Sequence, residues 1–156
     1  MTTLFLALGL AIMNLTYSPD SSRVAYTVGG NLYIREVKTD SEIRVTDDGG
    51  ADILNGYASW VYYEEILGRA SEYKAFWWSP DSKRIAFYRF DNSRVPQFPI
   101  YCADGQTGKL IVTRYPKAGQ RNPEVRVGFF DLDPDEGTTP VLTWANFESG
   151  DQYFGT

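Results

Sequence analysis

Short stretches in which polar and apolar residues alternate dominate this chain, and such stretches are typical of half-buried β-strands. They include residues 23–28, 31–37, 84–90 and 125–132. Gly29-Gly30 separates the first two stretches, and glycine accepts the positive φ that a tight hairpin turn requires. The pattern therefore predicts an all-β protein made of antiparallel strands.

Weaker signals complete the predicted elements. Further strands are expected near residues 12–17, 43–46, 75–79, 110–115 and 141–145. Residues 95–101 contain Pro96 and Pro99, which cannot donate to a sheet, so this stretch is expected at a sheet edge or in a loop. One short helix is expected at about 61–67.

An internal repeat organises these elements. Residues 17–26 (YSPDSSRVAY) recur as residues 78–87 (WSPDSKRIAF), with six of the ten positions identical. In each copy Ser-Pro-Asp-Ser predicts a turn, because proline fixes φ at the first corner, and a strand follows. The copies lie farther apart than one four-stranded propeller blade of roughly 40 to 50 residues, so an insertion is expected between them.

The repeat predicts about two blades of a β-propeller, each an antiparallel four-stranded sheet. The blades are expected at about 11–46 and 75–145, with an insertion at 52–74 and the start of another blade at 150–156. Two blades leave strand edges and apolar flanks uncovered. We therefore expect residues 1–156 to be part of a larger propeller domain, or a chain that closes by self-association, for example as a homodimer.

Composition narrows the possible functions. The chain has 156 residues, a net charge of -5 and 15% aromatic residues, which fits a mildly acidic globular domain. Because no basic cluster is present, nucleic acid is not expected as a partner. The sequence contains no histidine, which excludes Ser-His-Asp and Cys-His catalysis within these residues. We expect no catalytic residue, no metal site and no cofactor.

An apolar run at residues 4–13 is too short to span a bilayer, and no membrane-spanning segment is expected. Three interpretations of this run are open: a buried strand, a vestige of a targeting or anchoring segment, or an artefact of a gene boundary. Cys102 is the only cysteine, so the chain cannot form an internal disulfide.

The candidate binding residues are the adjacent carboxylates Glu64 and Glu65, which lie beside aromatic residues in the predicted insertion. Neighbouring side chains on a helical turn point about 100° apart, so the two carboxylates could converge on one cation, such as an ammonium group. The alternative is a solvated acidic turn beside Trp60. A glycosidase pair is disfavoured, because adjacent residues do not readily flank a bond from opposite faces.

Several motifs follow one another in a characteristic order. They are YSPD at 17–20, NG at 55–56, WVYYEEI at 60–66, WWSPD at 77–81, RFD at 89–91, VP at 95–96, YPKAG at 115–119 and NP at 122–123. From about residue 16 to residue 131 the chain resembles the β-propeller domain of the dipeptidyl peptidase IV family of serine exopeptidases. Ser-Pro-Asp turns occur in many propellers, so the specific part of this resemblance is the motif at 60–66 followed by the motif at 115–119.

The resemblance implies a function for the acidic pair. In that family paired glutamates hold the α-amino group of a peptide, and a separate α/β-hydrolase domain cleaves after the second residue, usually proline or alanine. The matching positions here are Glu64 and Glu65. The implied partners are the N-terminus of peptide substrates, the rest of the propeller and the hydrolase domain. The implied location of the parent protein is periplasmic, extracellular or on the cell surface, and this chain alone is expected to be inactive.

Two positions depart from the family pattern. Ser59 stands where the family usually has an aspartate, and Tyr63 stands where it has a third glutamate. Nothing before Thr16 matches the arginine that assists binding in the family. The alternative function is a non-catalytic propeller module for binding or scaffolding. A Gly-x-Ser-x-Gly elbow followed by Asp and His downstream in the parent gene would separate the two hypotheses.

Overall fold

The computed structural model describes residues 11–134 and 139–147, and within these ranges the chain forms eleven strands and two short helical turns. The predicted start of a blade at 150–156 and most of the apolar run at 4–13 lie outside the described residues. The strands are β1 (Met13–Tyr17), β2 (Arg23–Val28), β3 (Asn31–Glu36), β4 (Glu42–Arg44), β5 (Ile53–Asn55), β6 (Phe76–Trp78), β7 (Arg84–Asp91), β8 (Gln97–Cys102), β9 (Lys109–Arg114), β10 (Glu124–Asp131) and β11 (Val141–Trp144). The turns are the wide turn (Tyr62–Ile66) and the 3-10 turn (Arg69–Ser71).

The first sheet contains four antiparallel strands in the order β1-β2-β3-β4. Tyr26 lies opposite Tyr33 on β2 and β3, and their rings stack with centroids 5.8 Å apart. The turn between these strands uses Gly29 and Gly30 at φ 56° and 80°, a region that favours glycine. The predicted hairpin is therefore present.

The second sheet has the order β11-β10-β7, and β5 and β6 share the remaining side of β7. Asn55 of β5 lies opposite Arg89, and Phe76 of β6 lies opposite Phe87. The two short strands thus form one interrupted edge strand. The predicted insertion at 52–74 begins within this sheet and leaves it only after Asn55. The division into blades at the predicted boundaries stays a prediction.

A separate hairpin, β8–β9, lies in the chain between β7 and β10. Its strands pair with each other from Gln97↔Arg114 to Cys102↔Lys109. Pro99 lies within β8, which has a partner strand on one side only among the described residues. This is the edge position that the prolines predict.

The two sheets share an apolar core. Ala25, Leu32 and Ile34 of the first sheet are at most 1% exposed and belong to one cluster with Phe76, Ile85 and Phe87 of the second sheet. Burial of each large apolar side chain contributes about 1.5–3 kcal/mol. The chain is therefore all-β, with two packed antiparallel sheets and a short helical insertion near the predicted residues 61–67.

Candidate functional site

The insertion leaves and rejoins the second sheet at one point. The Gly56 N–H donates to the Tyr88 carbonyl at 2.8 Å, and the Tyr88 N–H donates to the Ala75 carbonyl at 2.9 Å. Within the insertion, the Ala75 N–H donates to the Gly56 carbonyl at 3.0 Å and the Ala58 N–H donates to the Tyr73 carbonyl at 2.7 Å. These hydrogen bonds pair the two ends of the insertion with each other and with β7. We call this arrangement the paired base of the insertion, and it lies in the gap between β5 and β6.

The wide turn carries the acidic pair. The Leu67 N–H donates to the Tyr62 carbonyl at 2.7 Å, an i→i+5 bond that defines a π-helical turn. Tyr62 is 1% exposed, and its ring packs edge-on against Phe90 with centroids 4.8 Å apart. This buried ring anchors the turn to β7. Turns of this geometry are rare and occur frequently at functional sites.

The structure gives the two glutamates different surroundings. The Glu64 side chain is 17% exposed, and its Oε2 accepts a hydrogen bond from Arg69 Nε at 2.7 Å. Glu65 is exposed on the same turn. The ion pair with Arg69 was not anticipated from the sequence. Convergence of both carboxylates on one cation stays a prediction.

A stack of three tyrosines supports the wide turn. The ring of Tyr73 lies 3.7 Å from that of Tyr63 and 5.0 Å from that of Tyr57, in nearly parallel planes. Burial, with the neighbouring phenols Tyr57 and Tyr63, raises the pKa of Tyr73 to about 12. Tyr63, which replaces a glutamate of the family pattern, is therefore a packing residue in this chain.

The other departure from the family pattern, Ser59, is buried. Ser59 is 4% exposed, and its Oγ has no hydrogen-bond partner among the described residues. Its backbone carbonyl accepts the Tyr63 N–H at 3.0 Å at the entry to the wide turn. The backbone of this segment thus keeps a helical connection without an aspartate.

The YPKAG motif at 115–119 lies against the start of the WVYYEEI motif. Trp60 and Tyr115 make an edge-to-face contact with centroids 6.3 Å apart, and Tyr115 packs on Phe98 of β8 at 5.8 Å. Lys117 Nζ lies 4.5 Å from the centre of the Phe98 ring. The two motifs that carry the resemblance are therefore in direct contact.

Trp77 and Trp78 act in packing. Trp77 packs edge-on against Tyr88 at 4.9 Å. Trp78 packs on the shared core, and its Nε1 donates to the carbonyl of Thr16 at 3.1 Å. This bond joins the second sheet to the first.

Sequence reasoning missed Arg69 and the tyrosine stack. Arg69 follows Glu64 by five residues, a spacing that brings side chains together only on a wide turn or across a sharp bend. Tyr57 and Tyr73 lie far apart in the sequence, and only the paired base of the insertion brings them together. The aromatic composition of residues 57–73 was the available signal.

The two packed antiparallel sheets each contain a Ser-Pro-Asp turn between neighbouring strands, and an acidic turn is inserted at an interrupted edge strand. These features define a segment of a β-propeller with an insertion. The family model of the dipeptidyl peptidase IV N-terminal region matches residues 9–156. The chain belongs to the dipeptidyl peptidase IV family.

Individual relatives agree with this assignment. The chain is 39% identical over 133 residues to the probable dipeptidyl-aminopeptidase B of Talaromyces marneffei, a match that covers 78% of this chain and 14% of that protein. The probable dipeptidyl-aminopeptidase B of Podospora anserina is 36% identical over 139 residues, covering 81% of this chain and 15% of its own length. This chain therefore spans a small part of the curated relatives that it matches.

A solved structure has the same fold. The crystal structure of Porphyromonas gingivalis dipeptidyl peptidase 4 superposes with a TM-score of 0.72 at 29% identity, over 89% of this chain and 19% of that chain. Within residues 11–134 and 139–147, no helix has the length and apolar character needed to cross a membrane.

Proposed function

We propose that this chain is the substrate-recognition segment of a serine exopeptidase that releases N-terminal dipeptides of the type Xaa-Pro or Xaa-Ala, with Glu64 and Glu65 binding the α-ammonium group of the substrate. The observation that carries the proposal is the family match across the segment in which these two adjacent glutamates stand on one helical turn. The Glu64 carboxylate supports it, because this group already accepts a hydrogen bond from a cationic side chain at 2.7 Å.

The chemistry of an ammonium group fits a pair of carboxylates. An ammonium has three donors and no acceptor, whereas an ionised carboxylate has only acceptors. Two carboxylates can therefore accept two or three charge-assisted bonds, each worth about 1.5–3 kcal/mol in a sheltered site. A blocked amine carries no charge and cannot make these charge-assisted bonds, so the site would select free N-termini.

The glutamates would also set the position of cleavage. An ammonium group held at a fixed distance from a nucleophile allows only one peptide bond to reach that nucleophile. In this proposal acyl transfer takes place on a separate hydrolase domain of the parent protein, and residues 1–156 supply recognition alone.

Substitutions that remove the negative charge of each glutamate test the proposed binding role. In the full-length protein, Glu64→Gln and Glu65→Gln should each lower kcat/KM for Gly-Pro-p-nitroanilide by roughly 10- to 150-fold, because one charge-assisted bond is weakened. The matched control is Glu124→Gln, whose side chain is 67% exposed and pairs with Arg94 at 3.4 Å. An unchanged kcat/KM in both test variants would contradict the proposal. Binding of Gly-Pro peptides without hydrolysis by the full-length protein would indicate a non-catalytic propeller module instead.

The proposal extends to the location of the parent protein. An exopeptidase that recognises the free ends of peptides is proposed to act in the periplasm, at the cell surface or outside the cell, as the family resemblance implies. Fractionation of cells that express the tagged full-length protein tests this point, and recovery in the cytosolic fraction alone would contradict it.

A further inference from the structure

We propose that Arg69 is a built-in counter-ion of Glu64, which the ammonium group of a peptide must displace, so that Arg69 limits the affinity of the site for substrate. This inference rests on the proposed function of the glutamate pair. It adds a specificity-determining residue that lies outside the WVYYEEI motif.

The ion pair is asymmetric in its exposure. Arg69 Nε lies 2.7 Å from Glu64 Oε2, yet the arginine side chain is 75% exposed and the glutamate side chain only 17% exposed. The carboxylate is therefore the more buried partner, and most of the arginine side chain already faces solvent. A ligand cation can replace the guanidinium while the wide turn keeps its conformation.

Competition between the two cations has a predictable magnitude. An exposed ion pair changes an equilibrium by at most about fivefold. In the proposed site a substrate ammonium bonds to both Glu64 and Glu65, whereas Arg69 bonds to Glu64. Peptide N-termini should therefore displace Arg69, at the cost of part of their affinity.

The competitor is permanently charged. Arginine stays protonated throughout the physiological pH range, and the hydrogen bond to Glu64 raises the pKa of Arg69 further. Proton loss therefore cannot free Glu64. A competing cation can do so by taking the place of the guanidinium.

The local fold holds Arg69 in this place. After the 3-10 turn, Glu72 and Tyr73 adopt positive φ values of 49° and 68°. Two successive non-glycine residues in this region are unusual and require support from surrounding structure. The stacking of Tyr73 on Tyr63 at 3.7 Å supplies that support and folds the 3-10 turn back toward the wide turn.

Substitution of Arg69 tests the inference. In the full-length protein, Arg69→Gln should lower KM for Gly-Pro-p-nitroanilide by about two- to fivefold and leave kcat unchanged, because the free enzyme loses a competitor. Arg69→Lys keeps the positive charge and should remain closer to the wild-type KM than Arg69→Gln. The matched control is Arg94→Gln, which removes another exposed arginine, 66% exposed, from an ion pair with a glutamate.

The direction of the change in KM distinguishes a competing role of Arg69 from an orienting role. If Arg69 instead orients Glu64 toward the substrate, Arg69→Gln raises KM, and this result would overturn the inference. An unchanged KM would overturn it as well. Since Arg69 is 75% exposed, a comparison of melting temperatures verifies that Arg69→Gln folds like the wild type.

Comparison of the glutamate variants with the Arg69 variant separates this inference from the proposed function. If Glu64→Gln and Glu65→Gln leave kcat/KM unchanged, the proposed function itself fails. If they lower kcat/KM and Arg69→Gln does not lower KM, only the counter-ion role fails. In the double variant, Arg69→Gln should not lower KM relative to Glu64→Gln alone, because the carboxylate that Arg69 neutralises is already gone.

Discussion

The aspartates of the repeated turns use the same local chemistry in both copies. Asp20 Oδ1 accepts bonds from the Ser22 N–H at 3.0 Å and from the Ser18 hydroxyl at 2.7 Å. In the second copy, Asp81 Oδ1 accepts bonds from the Ser79 hydroxyl at 2.5 Å and the Lys83 N–H at 3.1 Å. These bonds stabilise the ionised carboxylates and hold the pKa of Asp20 and Asp81 below the usual range.

The depressed pKa of Asp20 predicts an acid-sensitive turn. A carboxyl whose pKa is lower in the folded state stabilises the fold above its ordinary pKa of 3.8, and this stabilisation is lost as the pH falls through the folded pKa. Asp20→Asn should therefore lower the melting temperature at pH 7 and flatten its decline between pH 5 and pH 2. Thermal melts across this range provide the measurement. Asp104→Asn, an exposed aspartate between β8 and β9, is the control. A decline as steep in Asp20→Asn as in the wild type would contradict the prediction.

At the scale of elements, the root of the β8–β9 hairpin is fixed beside the insertion. Arg114 Nε and Nη2 donate to the two carboxylate oxygens of Asp52 at 2.9 and 3.0 Å, and Nη1 donates to the Val95 carbonyl at 2.9 Å. Tyr115 follows directly and contacts Trp60. The hairpin root is therefore a support for the segment that leads into the wide turn.

This support predicts an effect of Tyr115 on substrate binding. Aromatic pairs contribute about 0.5–1.5 kcal/mol beyond area burial, so Tyr115→Ala should raise KM for Gly-Pro-p-nitroanilide by roughly two- to tenfold in the full-length protein, with little change in kcat. Tyr115→Phe retains the ring and should behave like the wild type. Tyr101→Ala, which removes a 66% exposed ring from the same hairpin, is the control. A KM in Tyr115→Ala that matches this control would show that the contact does not position the glutamates.

The elements differ in how well the sequence predicts them. Strands with a clear alternation, such as Arg23–Val28 and Arg84–Asp91, were predicted to within a residue, because one buried face fixes their period. The sequence places Ile53–Asn55 in the insertion rather than in a strand, because three residues are too few to establish a period. The place of Arg69 was not predictable, since it depends on left-handed backbone at Glu72 and Tyr73, and neither residue type signals that conformation.

At the scale of the whole molecule, one buried side chain links the two sheets by hydrogen bonds. Asn55 is fully buried, and its Nδ2 donates to Asp48 Oδ1 at 2.9 Å and to the Gly30 carbonyl at 3.1 Å. A Cβ on Gly30 would lie 2.5 Å from the Ile53 carbonyl oxygen, so no side chain fits where the first hairpin meets β5. This junction combines close backbone packing with buried polar contacts.

Loss of the Asn55 amide should weaken the junction. Asn55→Ala leaves the Gly30 carbonyl and the Asp48 carboxylate with fewer donors, so the free energy of unfolding should decrease by about 1–3 kcal/mol. Urea denaturation of the wild type and of Asn55→Ala measures the difference in the free energy of unfolding. Gln97→Ala removes an amide from an exposed position and should change the free energy by less than about 0.5 kcal/mol. Equal stabilities of Asn55→Ala and Gln97→Ala would show that the amide does not hold the sheets together.

The interrupted edge strand separates residues that maintain the strand pairing on β7 from inserted residues that do not. Asn55 and Phe76 are each held in register on β7, and Tyr88 forms hydrogen bonds with Gly56 and Ala75 between them, so the strand pairing does not depend on the length of residues 57–74. Within this segment the buried Tyr62 ties the wide turn to β7, so a segment of another length or charge that keeps this anchor should leave the strand pairing intact. Residues 57–74 are therefore the place at which to graft recognition of a different peptide terminus.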